Sequence, residues 1–234
     1  MIALSGDLVL LDVGNTHTRV FREGAVRRIK SADLGKILPE LAAADCAAAS
    51  VVPEWTFALA DAGVFMVGKE HCAGLDMSAV SAATVGADRI ANAVALAAAG
   101  VFPAVAVDFG TAITFEVLDG KGRFIGGAIL PGRALMRSAL AAGAAQLPEL
   151  AAMEMTKLEI GADTAGAMAL GCDRGAVGAV KEVLRSVLRS VGGAARVVGT
   201  GGDAAAFAGQ IPELSEIDAT LTLQGIALAY NYER

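Results

Sequence analysis

A repeated tip constrains this chain more than any other feature. The apolar run Leu8-Val9-Leu10-Leu11 ends in Asp12-Val13-Gly14-Asn15-Thr16, then continues as Thr18-Arg19-Val20-Phe21, the turn Arg22-Glu23-Gly24 and Ala25-Val26. In mid-chain, Val105-Ala106-Val107 runs into Asp108-Phe109-Gly110-Thr111 and onward as Ala112-Ile113-Thr114-Phe115-Glu116-Val117. Each copy reads as an apolar strand, a turn that presents a carboxylate, a glycine backbone and a hydroxyl together, and a returning strand. The central copy adds the polar turn Asp119-Gly120-Lys121-Gly122 and a third strand ending in Gly126-Gly127. Two copies of one meander predict a duplicated unit with one site between its halves.

With 234 residues there is room for one large or two modest domains. A boundary before Pro103 divides the chain into 1–102 and 103–234. The hydrophobic fraction of 55% raises the question of a membrane span. The longest uncharged run, Ile90 to Val107, is mostly alanine and is broken by Asn92, Gly100 and Pro103. It predicts a buried helix and a strand, since a span needs about 20 strongly apolar residues. The segment Met1 to Asp7 has neither a basic stretch nor a long apolar core, so a cytoplasmic protein without a signal peptide is expected. Cys46, Cys72 and Cys172 are far apart and form no CxxC pair, which predicts reduced thiols. A net charge of -6 argues against a nucleic-acid binder. The short basic run Arg27-Arg28 with Lys30 reads as a solvated strand edge.

Periodicity and capping signals predict an α/β order. The first meander spans residues 7–30. A helix follows over Asp33 to Ala44, capped by Ser31 or Asp33, with Leu34, Ile37, Leu38 and Leu41 on one face. Then come a strand over Cys46 to Val52, a helix over Glu54 to Ala62, a strand over Val64 to Val67, a loop over 68–85 and a helix over Ile90 to Ala99. After the second meander, helices are expected at about Ala134 to Ala144, from Thr164 toward Gly171, and from Ala176 to Val191. A strand enters the glycine turn Gly199-Thr200-Gly201-Gly202, and a terminal helix covers Leu221 to Tyr230. Trp55, Tyr230 and Tyr232 read as packing residues.

The chain has no GxxxxGK[ST] or GxGxxG pattern. A phosphate site can still be built from the hairpin turns: their amide groups face a concavity, and the hydroxyls of Thr16 and Thr111 add donors. A strand-end carboxylate beside such a turn suits a hydrated Mg²⁺. Asp88 precedes the Ile90 helix, where a carboxylate is stabilised as an anion, and it is a candidate base for an attacking alcohol. Arg89 suits bidentate capture of a substrate carboxylate. The alternative is that Asp88 only caps the helix and Arg89 makes a surface ion pair. His17 adjoins the first turn, either as a phosphate contact or as a solvent-facing strand histidine. Asp163 is either a helix cap or part of a site with Thr164. His71 and Cys72 have no second ligand pair at metal spacing.

In order along the chain stand Asp12-Val13-Gly14-Asn15-Thr16, Gly86-Ala87-Asp88-Arg89 with Ile90-Ala91-Asn92, Asp108-Phe109-Gly110-Thr111-Ala112-Ile113-Thr114, Gly126-Gly127-Ala128-Ile129-Leu130-Pro131-Gly132, Gln146-Leu147-Pro148 and Thr200-Gly201-Gly202. Together they resemble the type III pantothenate kinases of the acetate and sugar kinase/Hsp70/actin superfamily. The resemblance implies two ribonuclease-H-like domains, each a mixed sheet flanked by helices, with an ATP cleft between them. It implies phosphorylation of pantothenate at the start of coenzyme A synthesis, using ATP with Mg²⁺ and a monovalent cation (K⁺ or NH₄⁺), in a homodimer. It implies Asp88 as general base and Gly86, Ala87, Asp88, Arg89 and Thr164 on pantothenate. Asp12, Val13, Gly14, Asn15, Thr16, His17, Thr18, Arg19 and Thr111 would hold ATP, and Asp108 the monovalent cation. Two places depart from the family pattern. Glu116 stands where Asp is common, one methylene longer, and Ser78 to Thr84 lack the usual proline and aromatic. A kinase of the same fold with another acceptor, and a non-catalytic nucleotide-binding regulatory homologue, remain the alternatives.

Overall fold

The two tips stand at matching places in two sheets with the same strand order. A computed structural model describes residues 8–151 and 154–234; Met1 to Asp7, and with them the expected start of the first meander at residue 7, lie outside the described residues. The strands β1 (Val9–Val13), β2 (His17–Arg22), β3 (Ala25–Lys30), β4 (Cys46–Ser50) and β5 (Phe65–Met66) lie in the order β3-β2-β1-β4-β5. The second sheet contains β6 (Ala104–Phe109), β7 (Ala112–Leu118), β8 (Phe124–Gly126), β10 (Arg196–Thr200) and β11 (Glu216–Ile217) in the order β8-β7-β6-β10-β11, and β9 (Ile129–Pro131) pairs with β7. Asp12 and Asp108 are each the penultimate residue of the first strand of their meander. The helices are α1 (Leu38–Leu41), α2 (Pro53–Asp61), α3 (Ala87–Ala98), α4 (Arg133–Gly143), α5 (Thr164–Ser190), α6 (Ala204–Ala208) and α7 (Leu221–Tyr232).

The chain divides into two compact units. The first runs to Ala106 and includes Glu116–Gly126 and Thr220–Arg234; the second is Val107–Phe115 and Gly127–Ala219. In the first unit β1 pairs antiparallel with β2 and parallel with β4. Val9, Leu11 and Val13 pack with Val20, Leu34, Leu41, Ala48, Leu59 and Val64 as one core, with Trp55 against it. β3 leaves Arg27, Arg28 and Lys30 exposed, as expected of a solvated edge. Every residue of β4 is small and buried, which lets helices approach closely. α3 and α7 both pack on β4 and on each other. Enclosed by the sheet and its partner, each helix buries an unbroken run, Ile90 to Leu96 in α3 and Leu221 to Ala227 in α7. Their closest approach needs Gly225, where a Cβ would fall on the Ala91 carbonyl, 2.5 Å from its carbon.

Three local expectations change. Residues 33–44 are not one helix: a 3-10 helix covers Ser31–Lys36 and α1 only Leu38–Leu41. Pro39 has no amide to continue a ladder and sits in the first turn of α1. Ser31 does not cap; its hydroxyl donates to the Gly14 carbonyl at 2.6 Å. The helices expected on either side of Gly171 are a single 27-residue α5. Met168, Cys172, Ala176, Val180 and Leu184 form a continuous buried stripe through it, while Gly171 and Gly178 face open space. Tyr232 is 64% exposed and does not pack in the core; Tyr230 is buried. All three cysteines are free, and burial pushes the Cys46 thiol up to about 11. Among the described residues no helix is long and apolar enough to cross a membrane.

The two kinds of glycine predict opposite outcomes. Gly225→Ala overpacks the α3–α7 contact and lowers stability by about 1–3 kcal/mol. Gly178→Ala, on an exposed stretch of α5, raises it by about 0.5–1 kcal/mol. Thermal melts check the pair, with about 2–4 °C of Tm for each kcal/mol in a chain of this size.

Candidate active site

In the first unit, α3 and β1 bring two acids together. Asp12 lies directly across the β1–β2 ladder from Arg19. Arg19 reaches it at 2.7 Å and also donates to the Thr222 hydroxyl on α7 at 2.9 Å. Asp88 stands in the first turn of α3, which begins at Ala87 with Gly86 as N-cap. The helix therefore starts three residues before the expected Ile90, and Asp88 lies inside it. Its Oδ1 accepts the Arg89 amide at 2.7 Å, and a Cβ on Gly86 would sit 2.6 Å from the same oxygen. Any side chain at 86 would push the carboxylate out of place.

Burial, and then the negative charge of Asp12, push the Asp88 carboxyl above the usual carboxylate range, against the Arg89 amide and guanidinium, which favour the anion. This corrects the expectation of an anion stabilised by the helix start: desolvation and a like charge outweigh the backbone. Arg89 makes a buried pair rather than a surface one. Its Nε donates to Glu116 at 2.9 Å, and Glu116 is fully buried and also accepts from Asn92 at 3.3 Å. The longer side chain at 116 thus serves to anchor α3 from within the unit. Breaking such a buried pair typically costs about 3–5 kcal/mol.

The first tip divides its residues by face. Gly14 is half-buried, Asn15 and Thr16 are exposed, and the Gly14 amide bonds the His17 carbonyl at 3.1 Å. Val13 and Thr18 face the core; the Thr18 hydroxyl bonds Ser31 at 3.0 Å. Neither side chain is exposed at the tip, so the expected side-chain contact of Val13 and Thr18 with ATP is not available in this structure. The His17 ring bonds Arg28 at 2.9 Å, and burial with the charges of Arg28 and Lys30 lowers its pKa.

The second unit builds a comparable tip. Asp108 is half-buried and Thr111 exposed. The Gly110 amide bonds the Ala112 carbonyl at 3.1 Å, and the Gly132 amide bonds Thr111 at 2.9 Å. Gly201, at φ +91°, lies so close that a Cβ would stand 2.6 Å from the Phe109 amide and collide with the Asp108 carboxylate. Asp163 is the cap of α5, accepting the Gly166 amide at 2.7 Å, and Thr164 is the exposed first residue of that helix. Sequence reasoning missed a buried charge cluster beside these turns. Arg133 and Arg137 both donate to Asp173, at 2.9 and 2.6 Å, and Arg133 also donates to Asp203 at 3.0 Å. Its one sequence signal is a pair of arginines one helical turn apart after Gly132.

Oxygen donors suit the ions that phosphoryl transfer uses. A hydrated Mg²⁺ takes one or two carboxylates and completes its shell with phosphate and water; Asp12, paired with Arg19 and close to a second acid, has the chemistry for such a donor. At Asp108 the missing side chain of Gly201 leaves a cradle that a Cβ would fill. Among the described residues no three His, Cys, Asp or Glu side chains group as a closed metal site.

The comparisons with known proteins agree with this architecture. A conserved Baf family protein from Campylobacter jejuni superposes with TM-score 0.68 at 20% identity, covering 96% of this chain and 98% of its own. Lmo2764 of Listeria monocytogenes, assigned as an N-acetylmannosamine kinase, gives TM-score 0.52 at 12% identity, covering 97% and 99%. Such identities speak for the fold alone, an α/β architecture of two mixed sheets flanked by helices. The sequence goes further: residues 8–186 match the family model of type III pantothenate kinase. The type III pantothenate kinase of Moorella thermoacetica is 34% identical, over 95% of this chain and 98% of its own. The chain belongs to the type III pantothenate kinase family.

Because the native state holds the Asp88 proton more tightly than the unfolded chain does, ionising Asp88 costs stability as pH rises through the carboxylate range. Asp88→Asn, which keeps the bond to the Arg89 amide, is therefore more stable than the parent near neutral pH. The two converge below pH ~4, where the unfolded carboxyl is also protonated. Thermal melts at neutral and acid pH check this; equal Tm values at neutral pH contradict it.

Proposed function

We propose that this chain transfers the γ-phosphoryl group of ATP to the primary hydroxyl of pantothenate, the first step of coenzyme A biosynthesis, as a cytoplasmic homodimer. The observation that carries this reading is Asp88: a carboxyl in the first turn of α3, raised in proton affinity by burial and by Asp12, in a chain of this family. An attacking alcohol must lose its proton. A base whose pKa has moved up toward neutrality accepts that proton better than an ordinary carboxylate. Asp88 is that base and also positions the hydroxyl oxygen. Catalysis is otherwise positioning and charge neutralisation.

Gly86, Ala87 and Arg89 of the first unit serve pantothenate, as does Thr164 of the second, and Glu116 keeps the Arg89 guanidinium in place. In the first unit the turn Gly14-Asn15-Thr16 serves the ATP phosphates, and in the second Thr111 does. Asp12 would hold Mg²⁺, and Asp108 would hold the monovalent cation. When bound, these ions neutralise phosphate charge.

ADP release coupled to a reporter enzyme tests the reading. Turnover requires pantothenate and rises with K⁺ or NH₄⁺. Asp88→Asn lowers kcat by about 10²–10⁴-fold and leaves the ATP Kd within about twofold of the parent. In the parent, kcat/KM falls as pH drops through the raised pKa of Asp88. Near-normal turnover in Asp88→Asn removes the base assignment; activity on another small alcohol with none on pantothenate removes the acceptor.

A further inference from the structure

Contacts from two segments of the second unit converge on the turn Asp108 to Thr111. Gly132 comes from one side: its amide bonds Thr111 at 2.9 Å, and a Cβ there would stand 2.6 Å from the Thr111 carbonyl oxygen. Gly201 comes from the other, against the Asp108 carboxylate and the Phe109 amide. Two residues on, the Asp203 amide donates to the Phe109 carbonyl at 3.1 Å. The turn is held between these segments, so its shape depends on the gap between them.

One side chain spans that gap. Arg133, directly after Gly132, donates from Nε to Asp203 at 3.0 Å and from Nη1 to Asp173 on α5 at 2.9 Å. Arg133 is 5% exposed and Asp173 fully buried. Asp173 is fixed in turn by Arg137 at 2.6 Å and by the Thr156 amide at 2.7 Å. A guanidinium fork fits two carboxylates in different directions; an ammonium is a single point and does not. Buried ion clusters are seldom more stabilising than apolar packing of equal volume. What the cluster supplies is geometry at the turn.

We infer that Arg133 is a positioning residue for the nucleotide end of the reaction. By bridging Asp203 and Asp173 it sets the spacing of the Gly132 and Gly201 segments, and through them the placement of Asp108 and Thr111. The inference rests on the assignment of those two residues to the monovalent cation and to ATP.

The test uses Asp203→Asn, Arg133→Lys and the double variant, with the surface variant Arg174→Ala as control. Asp203 is half-exposed and Asn is nearly isosteric, so Asp203→Asn leaves the buried Arg133–Asp173 pair standing. Calorimetry reads ATP–Mg²⁺ binding without pantothenate, and kinetics read the K⁺ dependence and KM for pantothenate. Each single variant weakens ATP by about tenfold, the loss expected for a charge-assisted hydrogen bond. Each also raises the K⁺ concentration for half-activation, with KM for pantothenate unchanged. The double variant is no worse than the worse single one, because both break one link. A folded Asp203→Asn with parental ATP and K⁺ affinity overturns the inference, as does a lowered Tm with unchanged affinities or additive losses in the double variant. If the parent binds no ATP, the functional reading falls first; if parent and variants alike bind ATP and phosphorylate pantothenate, only the inference falls.

Discussion

The first unit depends on a repulsion that is tolerated. Asp12 at the end of β1 and Asp88 at the start of α3 are close enough for the charge of one to raise the proton affinity of the other. Such an arrangement relaxes unless both backbones are fixed. β1 is fixed between β2 and β4, and Arg19 ties Asp12 to α7 through Thr222. α3 is fixed by Gly225 against Ala91, by its buried run, and by Arg89 and Asn92 on Glu116. Strain of this kind is characteristic of sites that move protons.

The second unit meets the same problem by another route. There the tip carries a single acid, and close backbone approach replaces the helix. Two glycines let neighbouring segments close on the Asp108 turn, and an arginine fork holds those segments apart at a set distance. Both halves thus set a carboxylate against a glycine, Asp88 against Gly86 and Asp108 against Gly201. A duplicated meander supplies the tip; the parts around it have diverged.

Much of this was legible in the residues. The tips announce themselves because an apolar run, an acid, a glycine and a hydroxyl occur together twice, and the strands on either side follow from alternation. Asp88 was legible by its neighbours in sequence. Its raised proton affinity was not, because it comes first from burial in the folded unit and then from the charge of Asp12, far along the chain. The stretch 33–44 misled because Leu34, Ile37, Leu38 and Leu41 suit a continuous helix and a broken one equally, and Pro39 decided it. α5 misled in the opposite sense: Gly171 and Gly178 look like breaks, yet they face open space while the buried stripe runs on. The cluster of Arg133 with Asp173 spans 40 residues of sequence, and no local pattern marks a pairing of that reach. Arg89 was seen, but not its partner, since Glu116 reads from sequence as one more residue of a strand.

Asp88 is a carboxyl made more basic by burial and by Asp12. The direct measurement is the titration of its side-chain carbon, by NMR of ¹³C-aspartate-labelled protein, in the parent chain and in Asp12→Asn. Asp88 is expected to titrate above the ordinary aspartate range in the parent and to move down, part of the way, once Asp12 is neutral. An Asp88 that titrates in the ordinary range, or that ignores the charge at position 12, contradicts this.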